Sequence, residues 1–157
     1  MRLREPPRIK VLEAAGAIAD GRVHLVKGLT PDRLDATVVS SEGDRRYRVI
    51  VVKEGGGYRV YSDDNGTRLR GYVGYPIISV LMLAGALPRD EQVEVALKGI
   101  DWRRLNETYK KYSVVEEIVL KRASEQVPRG RVEAFREKVM GELRKVPFTY
   151  DESLAKG

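Results

Sequence analysis

The sequence predicts an α+β fold, from three observations. An apolar helical spacing opens the chain, four alternating segments separated by turn residues follow, and everything from Asp101 onward is patterned as helix. At 157 residues the chain fits one domain and is long enough to bury a substantial core.

Pro6 and Pro7 suit a helix first turn. Ile9, Leu12, Ala14 or Ala15, and Ile18 or Ala19 then recur at near-helical spacing until "ADG" stops them, giving a helix over about residues 7–19. Period-two patterning follows in "GRVHLVKG", "RLDATVVS", "RRYRVIVVK" and "GYRVYS". The connections "KGLTPD", "SSEGD" and "KEGGG" are turn-rich, and the simplest topology is a four-stranded antiparallel meander. "DDNG" reads as a tight polar turn, after which "YPIISVLMLAG" is a short apolar helix with Pro76 at its start and Gly85 at its end. "LPRDEQVEVALKG" is a further helix stopped by Gly99. Asp101 caps a long helix with Trp102, Leu105, Tyr109, Tyr112 and Val115 on one face, "QVPRGR" breaks it, and a last helix runs over about 130–145. The expected organisation is an α+β core at 1–100, a helical hairpin or extension at 101–146 and a flexible tail at 147–157.

Composition narrows the function classes. The longest apolar run, Ile77 to Ala86, is too short to cross a membrane and is expected to be a buried helix. "MRLREPPRIK" lacks the apolar stretch of a secretory signal, so a cytoplasmic location is expected. With no Cys there are neither disulfides nor thiolate metal sites, and dense charge of both signs suits a thermophile. The net charge of +6 permits DNA or RNA as partner. Residues 101–157 hold 13 Lys/Arg against 10 Asp/Glu and residues 1–100 hold 16 against 13, so the excess is even and forms no basic tail.

Chemistry-bearing motifs are sparse. His24, the single histidine, lies in an alternating strand where a face or edge position outweighs a general-base role, and nothing points to a Ser-His-Asp triad. Asp63, Asp64 and Asn65 offer oxygen ligands but lack the spacing of a calcium loop, so a turn is the better reading. The glycines of "EGGG" join strand to strand and form a turn, not a phosphate loop. No catalytic residue, metal or cofactor is expected.

Two constellations remain. Arg59, Tyr61, Arg68, Arg70, Tyr72 and Tyr75 interleave, with Arg45, Arg46 and Arg48 one strand away; guanidinium groups pair with phosphates and aromatic faces stack on bases. Arginines on outward strand positions are equally what a soluble sheet displays, and the tyrosines equally suit a core. The second is the seam Trp102, Leu105, Tyr109 and Tyr112, whose three-four spacing suits a homodimer or protein partner, or packing within the chain.

Residues 21–83, taken as "GRVHLVKG", "DATVVSS", "RRYRVIVVK" and "GYRVYSDD" followed by a turn and a short apolar helix, resemble the SWIM domain. In that family a Cys-x-Cys on the last strand and a Cys-x-His at the helix start bind zinc. The corresponding positions here fall approximately on Val60 and Ser62, and on Gly74 and Pro76, so no zinc ligand carries over. Tyr58, Tyr61, Tyr72 and Tyr75 are the natural fillers of the vacated space. The resemblance implies a nucleic-acid-binding or adaptor module without metal. The leading expectation is thus a non-enzymatic nucleic-acid-binding or adaptor protein with Arg59, Arg68 and Arg70 on phosphates. The alternative is a protein-interaction or dimerisation subunit acting through the C-terminal helices, with an enzyme third, for which a cleft with a perturbed carboxylate near Asp63 or Asp64 is the mark.

Overall fold

The computed structural model describes residues 1–26 and 31–156. Helix α1 (Ile9–Ala19) precedes strands β1 (Val23–Val26), β2 (Arg33–Val39), β3 (Arg46–Glu54) and β4 (Gly57–Ser62). Helices α2 (Asn65–Arg68), α3 (Tyr75–Leu83), α4 (Glu91–Ala96), α5 (Trp102–Tyr109), α6 (Tyr112–Ala123) and α7 (Arg129–Arg144) follow, then strand β5 (Phe148–Tyr150) and a 3-10 turn over Glu152–Lys156. The fold is α+β. Residues 27–30 of the expected "KGLTPD" turn lie outside the described residues.

The first four strands form the antiparallel meander the turns predict, in the order β1-β2-β3-β4. The register sets Val38 opposite Tyr47 and Val51 opposite Val60. Because side chains alternate across a strand, Val49, Val51 and Val60 point to one face, where they are buried, while Arg46, Arg48, Arg59 and Tyr61 point to the other. Helix α3 packs on the inner face, and α1 packs on α3. Helix α1 is apolar nearly all round because it is enclosed: Ile9, Val11, Leu12, Ala14, Ala15 and Ala17 are all buried.

The sheet has a fifth strand. The tail expected to be flexible instead adds β5 parallel to β4, pairing Tyr58 with Phe148 and Val60 with Tyr150. Phe148 is buried and stacks on Tyr58 at 5.3 Å, and on its other side β5 takes the N-terminal segment through an Arg2–Thr149 bridge. A three-residue strand carries too little alternation to be legible, and its neighbours, β4 in mid-chain and the N-terminal segment, are both remote in sequence.

The helical part shares its core with residues 1–100. Trp102, Val115, Val119, Leu120, Val132 and Val139 join the same buried cluster as the sheet valines and α1. Trp102, expected on an interaction face, is 1% exposed. Gly16 of α1 admits it: a Cβ there would stand 2.9 Å from Trp102 Nε1 and 3.3 Å from the Leu97 carbonyl oxygen. The long helix expected from Trp102 also breaks in two at Lys110, which takes a left-handed conformation (φ 55°) and donates its N–H to the Asn106 carbonyl. A left-handed cap is the usual work of glycine, so no residue type announces this break.

Candidate functional site

On α1 the only charged side chains are Lys10 and Glu13, one turn apart on a single face. They lie at the bottom of a cleft of about 610 Å³, a volume ordinary for a small-ligand site. One wall is the β2–β3 connection, with Ser40, Ser41, Arg45 and Tyr47. The second is α2 and its exit, with Asp64, Asn65, Gly66, Arg70, Tyr72 and Tyr75. The third is the broken α5–α6 pair, with Arg103, Asn106, Glu107, Lys110, Lys111 and Tyr112.

The floor is buried and closely bonded. The Lys10 ammonium donates to Glu13 Oε2 at 3.0 Å and stands 5.3 Å from the centre of the Tyr112 ring. Burial pulls the Lys10 ammonium down, but the charge and hydrogen bond of Glu13 outweigh it and leave it above its ordinary range. Its charged form is thereby favoured. The Tyr72 and Tyr112 hydroxyls meet at 3.3 Å, and Arg70 Nη1 donates to the Tyr112 oxygen at 3.2 Å. Burial first, and the Glu13 charge among the lesser causes, raises the Tyr47, Tyr72 and Tyr75 phenols. Gly66 lets the Tyr72 ring lie against α2, since a Cβ there would stand 2.5 Å from the ring edge.

Asp64, one of the two carboxylates whose perturbation in a cleft is the expected mark of an enzyme, is buried and lines the cleft, with both oxygens engaged within the chain. Burial raises its carboxyl, but Oδ1 accepts from the Ser62 hydroxyl and Oδ2 accepts from Thr67 N at 3.1 Å, capping α2. The "DDNG" segment, read as a tight turn, is thus the start of a short helix.

The rim is cationic. Arg45, Arg70, Lys110 and Lys111 are exposed, whereas Arg103 is held by Asp44, with Glu107 at 3.3 Å and Glu42 at 3.6 Å. Strand alternation therefore divides the arginine-tyrosine constellation. Arg45, Arg70, Tyr72 and Tyr75 come together in the cleft, and Tyr112 joins them from the helical part. Arg46, Arg48, Arg59 and Tyr61 fall on the opposite sheet face, where Arg48 donates to the Ala155 carbonyl at 2.8 Å. Arg59 pairs with Glu54 and Asp151, each at 3.0 Å, and Tyr61 stacks on Tyr150 at 6.0 Å. The C-terminal residues reach that face at these points, and Arg46 and Arg48 on it remain exposed. Arg68 is exposed at the end of α2 and does not line the cleft.

The helix seam is likewise dispersed: Trp102 is in the core, Leu105 is half-buried, Tyr109 is exposed and Tyr112 lines the cleft. Val60 and Ser62 are buried on β4, and Gly74 and Pro76 begin α3. Among the described residues no three His, Cys, Asp or Glu side chains cluster as metal ligands would, and no helix is long and apolar enough to cross a membrane. Lys10, Glu13 and Tyr47 escaped the sequence reading of the site. The available signal was two charges, three residues apart, in the otherwise apolar "IKVLEAAGAIA".

A family model described as uncharacterised conserved protein UCP014422 matches residues 3–149. No curated protein and no solved structure matches the chain.

Proposed function

From a chain that belongs to the family of uncharacterised conserved protein UCP014422, we infer a nucleic-acid-binding module that holds a single-stranded segment in the cleft between α1, the β2–β3 connection, α2 and the α5–α6 pair. The observation that carries this reading is the convergence of exposed Arg45, Arg70, Lys110 and Lys111 on a cleft lined by Tyr47, Tyr72, Tyr75 and Tyr112. Cations that track a phosphate backbone beside aromatic faces for bases are the two elements single-strand binding needs. An unstacked nucleotide matches a cleft of this volume. The SWIM-like layout of residues 21–83 leans the same way, and the cytoplasm is where such a strand would be met.

The test is binding of labelled single- and double-stranded DNA and RNA across a salt series. Single strands bind more tightly, with log affinity falling linearly with log salt. Arg45→Ala, Arg70→Ala and Lys111→Ala each lower the slope by about 0.7, the single-strand value for one phosphate contact. Arg48→Ala and Arg59→Ala, on the opposite face, leave it unchanged. Equal loss from Arg59→Ala and Arg70→Ala would move the interface to the outer sheet face, and no binding at low salt would end the reading.

A second reading, a dimerising or protein-recruiting subunit, is favoured by exposed Tyr109 and Val114 flanking the α5–α6 break. Sedimentation of the intact chain and of Tyr109→Ser with Val114→Ser separates it: a dimer in the first and a monomer in the second supports this reading.

A further inference from the structure

We propose that the Lys10–Glu13 pair at the floor of the cleft reads the Watson–Crick edge of guanine, an inference that rests on the single-strand reading above and names the base it prefers. Glu13 is 6% exposed, yet it lines the cleft. Its Oε2 accepts from Lys10, and among the described residues its Oε1 accepts no hydrogen bond. Glu13 thus keeps an unused acceptor on a side chain only 8% exposed, in the lining of the cleft.

The pair presents a fixed order of hydrogen-bonding groups. Lys10 offers only donors and Glu13 only acceptors, side by side at 3.0 Å. Lys10 keeps its charge at neutral pH because Glu13 outweighs the effect of burial. Guanine carries the complement on one edge: O6 accepts from the ammonium, and the adjacent N1–H and N2–H donate to the two carboxylate oxygens. Adenine meets the pair with one donor and one acceptor, and cytosine and thymine with one donor between or beside two acceptors, so each leaves a carboxylate oxygen without a donor, which is penalised. Inosine shares the O6 and N1–H of guanine but lacks the N2 amine, so it isolates that contact. Tyr75 and Tyr112, both more open than Tyr72, line the cleft beside this edge, and Arg45, Arg70, Lys110 and Lys111 on its rim are exposed.

The experiment is fluorescence anisotropy with labelled thymidine oligomers carrying, at one internal position, deoxyguanosine, deoxyinosine, deoxyadenosine, deoxycytidine or thymidine. The expected result is about tenfold tighter binding of the deoxyguanosine oligomer than of each of the others, the discrimination one good bidentate base contact supplies. In Glu13→Gln the ratio falls to about one, because the amide replaces one acceptor with a donor. Equal binding of all five oligomers by the parent protein overturns guanine reading and leaves the single-strand reading standing. Absence of binding by every oligomer at low salt removes both. A deoxyguanosine preference that deoxyinosine matches in full overturns the role of the N2 contact. This last comparison uses the unaltered protein, so it stands even where Glu13→Gln does not fold.

Discussion

The Tyr72 and Tyr112 hydroxyls stand 3.3 Å apart, joining the exit of α2 to the start of α6 across forty residues of chain. Burial, then the hydrogen bond to Tyr112, pushes the Tyr72 phenol above its ordinary range, and burial does the same to Tyr75. A phenol that holds its proton more tightly folded than unfolded contributes stability below its unfolded pKa of about 10, and that stability is lost as pH rises beyond it. Lys10, raised in the folded state, acts in the same direction. Urea midpoints are expected to be level up to about pH 9 and to fall steeply above about pH 10. Tyr72→Phe, which has no proton to lose, shows a shallower fall. An equal fall in parent and variant would mean that Tyr72 titrates normally.

Asp64 predicts the opposite end of the pH scale. It is 5% exposed, and burial holds its carboxyl above the usual range despite the Ser62 and Thr67 hydrogen bonds. The folded state thus binds this proton more tightly than the unfolded chain, and the contribution of Asp64 weakens as pH rises through its folded pKa. Asp64→Asn, uncharged at all pH, is expected to gain on the parent as pH rises from the acid side, whereas Asp64→Ala loses the α2 cap and costs about 1 kcal/mol throughout. Paired urea titrations in acid and at neutral pH check both.

Gly16 sets a helix preference against a packing limit. Alanine gains about 1 kcal/mol over glycine in a helix interior. At this position its Cβ would press on Trp102 Nε1 at 2.9 Å and the Leu97 carbonyl oxygen at 3.3 Å, and overpacking of a close-packed core costs about 1–3 kcal/mol. Packing wins, so Gly16→Ala lowers stability by about 1 kcal/mol, with a change in Trp102 fluorescence. A stabilised variant would show that Trp102 moves aside freely.

The meander was legible because its strands alternate and its turns carry Gly, Asp and Pro, and the helix starts at Asp101 and Pro76 because capping residues are local signals. The site was legible only in pieces. Arg45, Arg70, Tyr72 and Tyr112 stand out in the sequence, but which of the arginines share a face depends on register, and Tyr112 reaches the cleft only because Lys110 turns the chain where no glycine marks it. Lys10 and Glu13 were hidden by their setting: in a helix enclosed by α3, α4 and α7, a charged pair reads as the exposed edge of an amphipathic pattern until the packing is known. Strand β5 depends on Phe148 and Arg2, at opposite ends of the chain, and no local pattern links them.

Lys110 joins the fold to the proposed interface, and one substitution separates its two roles. Its left-handed backbone (φ 55°) places a Cβ where a side chain costs about 1–2 kcal/mol, a penalty glycine does not incur. Glycine also adds freedom to the unfolded chain, which offsets about 0.5–1 kcal/mol. Lys110→Gly is therefore expected to raise stability by about 0.5–1 kcal/mol, read from urea unfolding. The same change removes a cation from the cleft rim, so the salt slope of single-strand binding should fall by about 0.7. The two readouts move in opposite senses, which a general loosening of the α5–α6 junction cannot produce. Higher stability with an unchanged slope would place Lys110 outside the phosphate path, whereas a lower slope without added stability would show that the left-handed turn is relieved by contacts lysine makes and glycine lacks.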